Sequence, residues 1–236
     1  MQQYMINTKQ IMGKVIKLNE NDYHHIFKVM RMKQNDNLIC ADYETRIKYL
    51  CELQDQEVII SKEIVDDREL PYNLVLAFGL VKSDKLEFVI QKACELGVTK
   101  FVPVLLRNSI VKVDKAKIER KLERWRKIIK EACEQCQRNT IMEIGVPMTL
   151  EQLLSEQQQA SNLVAYENSD SSAKIRTVYA GDKSCLIVVG PEGGFAPEEI
   201  AILQGNNFQI ASLGNRILRC ETAAITACSI IADLME

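Results

Sequence analysis

Two hydrophobic rhythms divide the chain near residue 70. Before it, apolar or β-branched runs at residues 15–18, 37–40, 47–51 and 57–60 have the length of strands. Between the first two, Ile26, Val29 and Met30 recur at i, i+3, i+4 spacing, which predicts a helix over residues 22–32. These elements predict a small β-barrel with one helix. The acidic stretch at residues 66–69 and Pro71 read as a linker. From Tyr72 the rhythm changes. Residues 74–80 are continuously apolar, as a strand buried on both faces must be. A helix is predicted from Asp84, with Leu86, Val89, Ile90 and Ala93 on one face and Gly97 closing it. A strand at 101–105, a long helix at 115–138 and strands at 162–166, 185–189 and 209–213 follow. Between the last two strands, Pro197-Glu198-Glu199 opens a helix that Gly205 ends; proline and carboxylates suit a first turn. A final helix runs from about Cys220. The alternation predicts an α/β domain with a mainly parallel sheet. The expected domains are residues 1–70 and 71–236.

Composition narrows the class. The chain has 236 residues, 47% of them hydrophobic and 26% charged, enough to bury a core without staples. The longest apolar run, residues 74–81, falls far short of the roughly 20 residues of a membrane helix. No apolar signal core opens the chain, so a soluble, cytoplasmic protein is expected. Of eight cysteines, Cys94, Cys185 and Cys228 lie in apolar segments, where a thiol packs as a small hydrophobe. Cys133 and Cys136 form one CxxC, but structural zinc usually needs four N or S ligands. The only histidines, His24 and His25, are adjacent and distant from that pair. No metal site is expected.

The net charge of −2 is unevenly spread. Residues 71–145 hold 15 basic against 9 acidic side chains, and residues 146–236 hold 5 against 11. The basic excess peaks over residues 112–130. Such a stripe on an otherwise acidic chain suits a polyanion partner, or is simply a solvated helix face.

The chemistry-bearing segments follow the apolar strands. Residues 186–189 lead into Gly190-Pro191-Glu192-Gly193-Gly194-Phe195, and residues 209–213 lead into Gly214-Asn215-Arg216-Ile217-Leu218-Arg219. Ligand crevices of open α/β sheets lie beyond the carboxyl ends of strands, where glycine lets the backbone approach a ligand. There is no GxxxxGK[ST] phosphate loop, no GxGxxG after the first strand, and no evident Ser–His–acid set. Glu221 and Thr222 fall in the first turn of the last helix, where an acid also serves as a cap.

These two loops together resemble the signature pair of the RsmE family, SPOUT-superfamily methyltransferases of small-subunit ribosomal RNA. Upstream, His24-His25-Ile26-Phe27-Lys28-Val29-Met30-Arg31-Met32 resembles the family's HH-x-x-x-V-L-R-M segment. Lys82, Lys92 and Glu95-Leu96-Gly97-Val98 resemble its K…K-x-x-E-L-G-V stretch. Arg124-Trp125 with residues 131–138 resembles its RW…EA-x-EQ-x-x-R helix. The five motifs are collinear over nearly the whole chain. Departures are mild: Ala196 replaces a usual Ser or Thr, and Cys220 a usual Thr.

The resemblance implies an N-terminal PUA-like β-barrel that binds RNA and a C-terminal SPOUT α/β domain with a deep trefoil knot. It implies a homodimer, S-adenosylmethionine as cofactor, and methylation of uracil N3 in the decoding region of 16S rRNA of the small ribosomal subunit. Carried over by motif, Leu163, Glu167, Gly190, Glu192, Gly193, Ser212, Leu213, Gly214, Ile217, Leu218 and Arg219 would bind the cofactor. Arg219, then Arg216, would stabilise developing charge on the base, and Glu192 or Glu221 could take its proton. RNA would meet His24, His25, Lys28, Arg31, Lys33, Arg107, Arg124 and Arg138. Trp125 could stack a base, though apolar Ile128 and Ile129 beside it favour the core. Other readings stay open: a SPOUT enzyme acting on another RNA such as tRNA, a non-catalytic ribosome-assembly factor, or a redox or zinc protein built on Cys133 and Cys136.

Overall fold

The computed structural model describes residues 1–111, 115–167, 172–181 and 183–236. Lys112 and Asp114 of the basic stretch lie outside them. The chain forms two compact units, Met1–Glu69 with Lys130–Ile141, and Leu70–Ile129 with Met142–Glu236.

The first unit contains β1 (Gln3–Ile6), β2 (Ile11–Met12), β3 (Val15–Ile16), α1 (Glu20–His24), β4 (Asn37–Asp42), β5 (Ile47–Gln54) and β6 (Glu57–Ile64). The strands form one sheet in the order β1-β4-β5-β6-β3-β2, in which only the β1–β4 pair is parallel. Asn19 starts α1 by accepting from the Asp22 N–H at 2.9 Å, and the helix runs on as a single π turn over His25–Val29. Tyr4, Ile6, Ile16, Ile26, Leu38 and Val58 make its core. The hydrophobic pattern does not reveal β1, because all four of its residues are buried and no alternation survives. Its one polar member, Gln3, donates from Nε2 to the Arg138 carbonyl at 2.7 Å, while its Oε1 is buried with no partner among the described residues.

The second unit holds β7 (Asn73–Gly79), α2 (Ser83–Glu95), β8 (Lys100–Leu105), the first turns of α3 (Ile118–Gln135), β9 (Glu143–Ile144), β10 (Met148–Thr149), α4 (Leu150–Glu156), β11 (Ser161–Ala165), α5 (Ile175–Val178), β12 (Ser184–Val189), α6 (Pro197–Gly205), β13 (Gln209–Ala211) and α7 (Cys220–Met235). Every pairing in its seven-stranded sheet is parallel, in the order β10-β8-β7-β12-β11-β13 with β9 also on β8. Alternate residues serve opposite faces. Val75, Ala77, Val164, Leu186 and Val188 pack with Leu153 of α4 and Ile200 and Leu203 of α6. α7 packs on β7, β12 and α2, burying Ala224, Ala227, Cys228 and Ile231. With both faces covered, the strands read as unbroken apolar runs. Leu122, Trp125 and Ile129 are buried on one face of α3, so Trp125 belongs to the core.

Several charged side chains are buried inside the first unit. Lys48 donates to Asp66 at 2.9 Å and to the Gln137 carbonyl at 2.8 Å, just past the end of α3. Lys130 bridges Asp22 at 2.7 Å and Glu134 at 2.6 Å. Arg138 corrects an expectation drawn from its motif. Rather than facing RNA, its side chain is 3% exposed and grips Glu69 through Nη2 at 2.7 Å and Nε at 3.0 Å. Glu69 also accepts the backbone N–H groups of Asn139 and Thr140. A guanidinium taken from water needs its donors met, and here Glu69 takes Nε and Nη2 while the Thr140 hydroxyl also accepts from Nη2 at 3.3 Å. Burial pushes the Glu69 carboxyl up, but Arg138 and those two amides outweigh it and hold it below its ordinary value.

Candidate active site

The parallel register brings three strand ends level. Ala165 at the end of β11 sits opposite Val189 of β12 on one side and Ala211 of β13 on the other. The segments leaving these ends build a cleft of about 440 Å³, within the roughly 300–1,000 Å³ of small-molecule sites. Tyr166 and Glu167 come from the first, Gly190, Pro191, Glu192, Gly194 and Phe195 from the second, and Leu213, Gly214, Arg216, Ile217, Leu218 and Arg219 from the third. The start of α7 adds Cys220 and Glu221, and α2 adds Lys85.

Two glycines are set by their surroundings, Gly190 by crowding and Gly194 by its backbone angle. A Cβ on Gly190 would stand 3.1 Å from the Phe195 ring. Gly194 has φ +64°, and a Cβ there would meet Glu167 Oε1 at 2.8 Å. At Gly190 and Gly194 the middle loop therefore presents bare backbone to the cleft, between the side chains of Pro191, Glu192 and Phe195.

Eight of the eleven residues expected at a cofactor line this cleft: Glu167, Gly190, Glu192, Leu213, Gly214, Ile217, Leu218 and Arg219. Leu163, Gly193 and Ser212 do not. Leu163 is buried within β11, two residues before the strand end. Gly193 lies against Asn108, which donates to its carbonyl at 2.9 Å. Ser212 is buried, and its Oγ accepts the Gly214 N–H at 3.2 Å, shaping the third loop from behind. Arg216 and Glu221 also reach the cleft.

Lys85 has no place in the sequence motifs. Its Nζ lies 3.2 Å from Glu192 Oε1 and 3.9 Å from Glu221 Oε1. The available signal was its position. A lysine in the first turn of α2 opposes the helix dipole, so it calls for carboxylate partners from elsewhere. Hydrogen bonding to Glu192 raises its ammonium above the ordinary value. Glu221 is lowered, first by the Cys220 thiol 2.9 Å from its Oε2, then by Lys85 and Arg219. Burial, together with Glu221, pushes that thiol up to about 12, so it remains a protonated donor.

The lining suits a cofactor with an apolar, flat part and a polar edge. Ile217 is 86% exposed on the third loop, an apolar side chain with no cover of its own. Leu213 and Leu218 flank it in the cleft, and the glycine loop beside them offers backbone donors and acceptors. An adenine ring would cover these groups and match those donors, so the residues present fit S-adenosylmethionine. Among the described residues no group of three or more His, Cys, Asp and Glu could hold a metal, and no helix is long and apolar enough to cross a membrane. None of the eight cysteines forms a disulfide, and burial pushes Cys136 up to about 11, the reverse of a reactive thiolate.

Of the residues expected to meet RNA, His24, Lys28, Arg31 and Lys33 are exposed on the first unit. His25 is half-buried, its Nδ1 2.9 Å from the Tyr4 hydroxyl. In the second unit, exposed Arg107 pairs with Glu198 at 3.0 Å and Arg124 with Glu87 at 2.7 Å.

Comparison with known proteins first defines a class. Residues 68–232 match the RNA methyltransferase domain family, and residues 18–62 match the RNA methyltransferase PUA domain family. The ribosomal RNA small subunit methyltransferase E of Bacillus subtilis is 38% identical, covering 100% of this chain and 98% of its own length. The Aquifex aeolicus protein of that name is 32% identical over 94% of this chain and 95% of its own. The chain belongs to this ribosomal RNA small subunit methyltransferase E family. Among solved structures, the Neisseria gonorrhoeae member bound to S-adenosylmethionine superposes with a TM-score of 0.89, at 27% identity and 99% and 98% coverage of the two chains. A Legionella pneumophila methyltransferase in complex with the same cofactor gives 0.88, at 32% identity and 97% and 96% coverage.

Proposed function

We propose that this protein transfers the methyl group of S-adenosylmethionine to N3 of a uridine in the decoding region of 16S ribosomal RNA. The observation that carries this reading is the cleft at the three level strand ends, with uncovered Ile217 beside Arg216, Arg219 and three carboxylates. The family membership supports the substrate class. The cofactor, when bound, supplies an electrophilic methyl on a cationic sulfur.

The remaining tasks fall to the chain. Leu213, Ile217 and Leu218 cover the adenine face, and the backbone around Gly190 and Gly214 meets its edge. Uracil N3–H is weakly acidic, and its loss spreads negative charge onto the flanking carbonyl oxygens. Arg219, assisted by Arg216, stabilises that charge. A carboxylate of the cleft, Glu192 or Glu221, accepts the proton. N3 lies on the pairing edge of the base, so the uridine enters unpaired and out of its stack. Backbone phosphates meet His24, His25, Lys28, Arg31, Lys33, Arg107 and Arg124, which position the RNA without reading its sequence.

The same resemblance underlies the architectural part of the proposal. The N-terminal region, residues 1–70, acts as a PUA-like RNA-binding barrel, and residues 71–236 form a trefoil-knotted SPOUT methyltransferase domain. Two copies work as a homodimer in the cytoplasm, where the ribosomal subunit is found. The test uses methyl-labelled S-adenosylmethionine with small ribosomal subunits, free 16S rRNA and tRNA in parallel, followed by nucleoside analysis. Label in 3-methyluridine from 16S rRNA is expected. Label in tRNA alone, on another atom, or in no RNA contradicts the proposal.

A further inference from the structure

Three carboxylates line the cleft, Glu167, Glu192 and Glu221, and one lysine, Lys85, engages the last two differently. Glu221 has both oxygens engaged: Oε2 lies 2.9 Å from the Cys220 thiol and Oε1 faces Lys85 at 3.9 Å. Glu192 has only Oε1 engaged, by Lys85 at 3.2 Å. Its Oε2 has no hydrogen-bond partner among the described residues, and its side chain, 23% exposed, lines the cleft. The two acids arrive on separate segments, the loop after β12 and the first turn of α7, and Lys85 reaches both from α2.

We propose that Lys85 is a positioning residue that fixes Glu192 with one oxygen held and the other free, making Glu192 the acceptor of the uracil N3 proton, while Glu221 anchors Lys85. The inference rests on the methyl-transfer reading above. In the step, the N3–H bond breaks and its proton passes to Glu192 Oε2. The N3 electron pair forms the N–CH3 bond, and the pair of the broken S–CH3 bond returns to sulfur, leaving a neutral thioether. Without Lys85, Glu192 and Glu221 would share the cleft wall with no lysine between them, and repulsion would turn Glu192 away. The charged and titratable groups around Glu192 are Lys85 from α2 and Cys220 and Glu221 from α7. Glu167, Arg216 and Arg219 line the same cleft. The raised ammonium of Lys85 keeps its charge throughout the working range.

The test compares wild type, Lys85→Met, Lys85→Arg, Glu192→Gln and Glu221→Gln in methyl transfer to small subunits across pH. Cofactor affinity is followed by calorimetry. Lys85→Met should lose about tenfold or more in kcat with KM for both substrates nearly kept, and its acidic limb should move to higher pH. Lys85→Arg should restore most of the rate. Glu192→Gln should lose about 10²–10⁴ in kcat together with the acidic limb, whereas Glu221→Gln should retain that limb. A Lys85→Met enzyme with the wild-type profile, or with its loss wholly in KM, overturns the inference, as does Glu192→Gln with an intact acidic limb. Should Lys85→Met fail to fold, the isosteric Glu192→Gln variant decides alone. A wild type that methylates no uridine removes the functional reading itself, a different outcome from an active wild type with an unaltered Lys85→Met profile.

Discussion

In the N-terminal unit the side chains of Lys48, Glu69 and Arg138 are 1%, 7% and 3% exposed, and each is matched to a partner within that unit. In the C-terminal unit Arg216 and Arg219 are exposed beside a cleft, and Lys85 stands between two carboxylates on its wall. The residue types are the same, but their surroundings assign them opposite duties. A charge removed from water is held by its partner, and losing that partner costs stability. A charge at the mouth of a cleft is free to act on whatever enters, and losing it costs chemistry while the fold stands.

The sharpest way to break this contrast is to remove Glu69. Glu69→Ala leaves the Arg138 guanidinium buried without the carboxylate that balances its charge, for which about 3–5 kcal/mol of unfolding free energy is expected. Chemical denaturation would measure it, and a loss below about 1 kcal/mol would mean that water reaches Arg138. The same pair predicts a pH dependence. Glu69 has a lowered carboxyl in the folded protein, so its contribution is complete above the unfolded value of about 4.3. It is lost as pH falls through the lower folded value. The stability difference between wild type and Glu69→Gln should therefore shrink only in that acidic window.

Arg219→Ala reverses the pattern. Methyl transfer should fall by about 10²–10³, as when one charge-stabilising donor is removed, with the melting temperature held. Unchanged turnover would take Arg219 out of the chemistry. A smaller effect sharpens the contrast from the RNA side. Lys28→Ala and Arg31→Ala should each weaken RNA binding and reduce the salt dependence by about one counterion. Arg138→Met should leave that slope alone, because its side chain is already paired inside the unit.

How much of this was legible in the sequence follows from the same contrast. The buried parallel strands at residues 73–79 and 184–189 announce themselves as apolar runs, and the glycine loop after the second marks the cleft. The strand at Gln3–Ile6 is silent, because it is buried on both faces yet begins with a polar residue. The short strands Glu143–Ile144 and Met148–Thr149 are too brief to show a period. Nor could spacing reveal that Lys130–Ile141 folds with the first unit, since the amphipathic pattern of α3 continues across that point. The site shows the same limit. Loop residues were legible from their glycines, whereas Lys85 and the fate of Arg138 depend on partners 107 and 69 residues away in sequence. A motif marks which residues recur together and leaves open whether an arginine in it faces ligand or core.

The cofactor site proposed here is the cleft at the three strand ends. Calorimetric titration of the wild type and of Gly190→Arg with S-adenosylmethionine tests it most directly. A side chain at position 190 must enter space already taken by the Phe195 ring and the cleft wall. Saturable one-site binding by the wild type, abolished in a Gly190→Arg protein that melts as wild type does, is the predicted result. Equal binding by the two proteins, or none by the wild type with small ribosomal subunits present, would contradict the account.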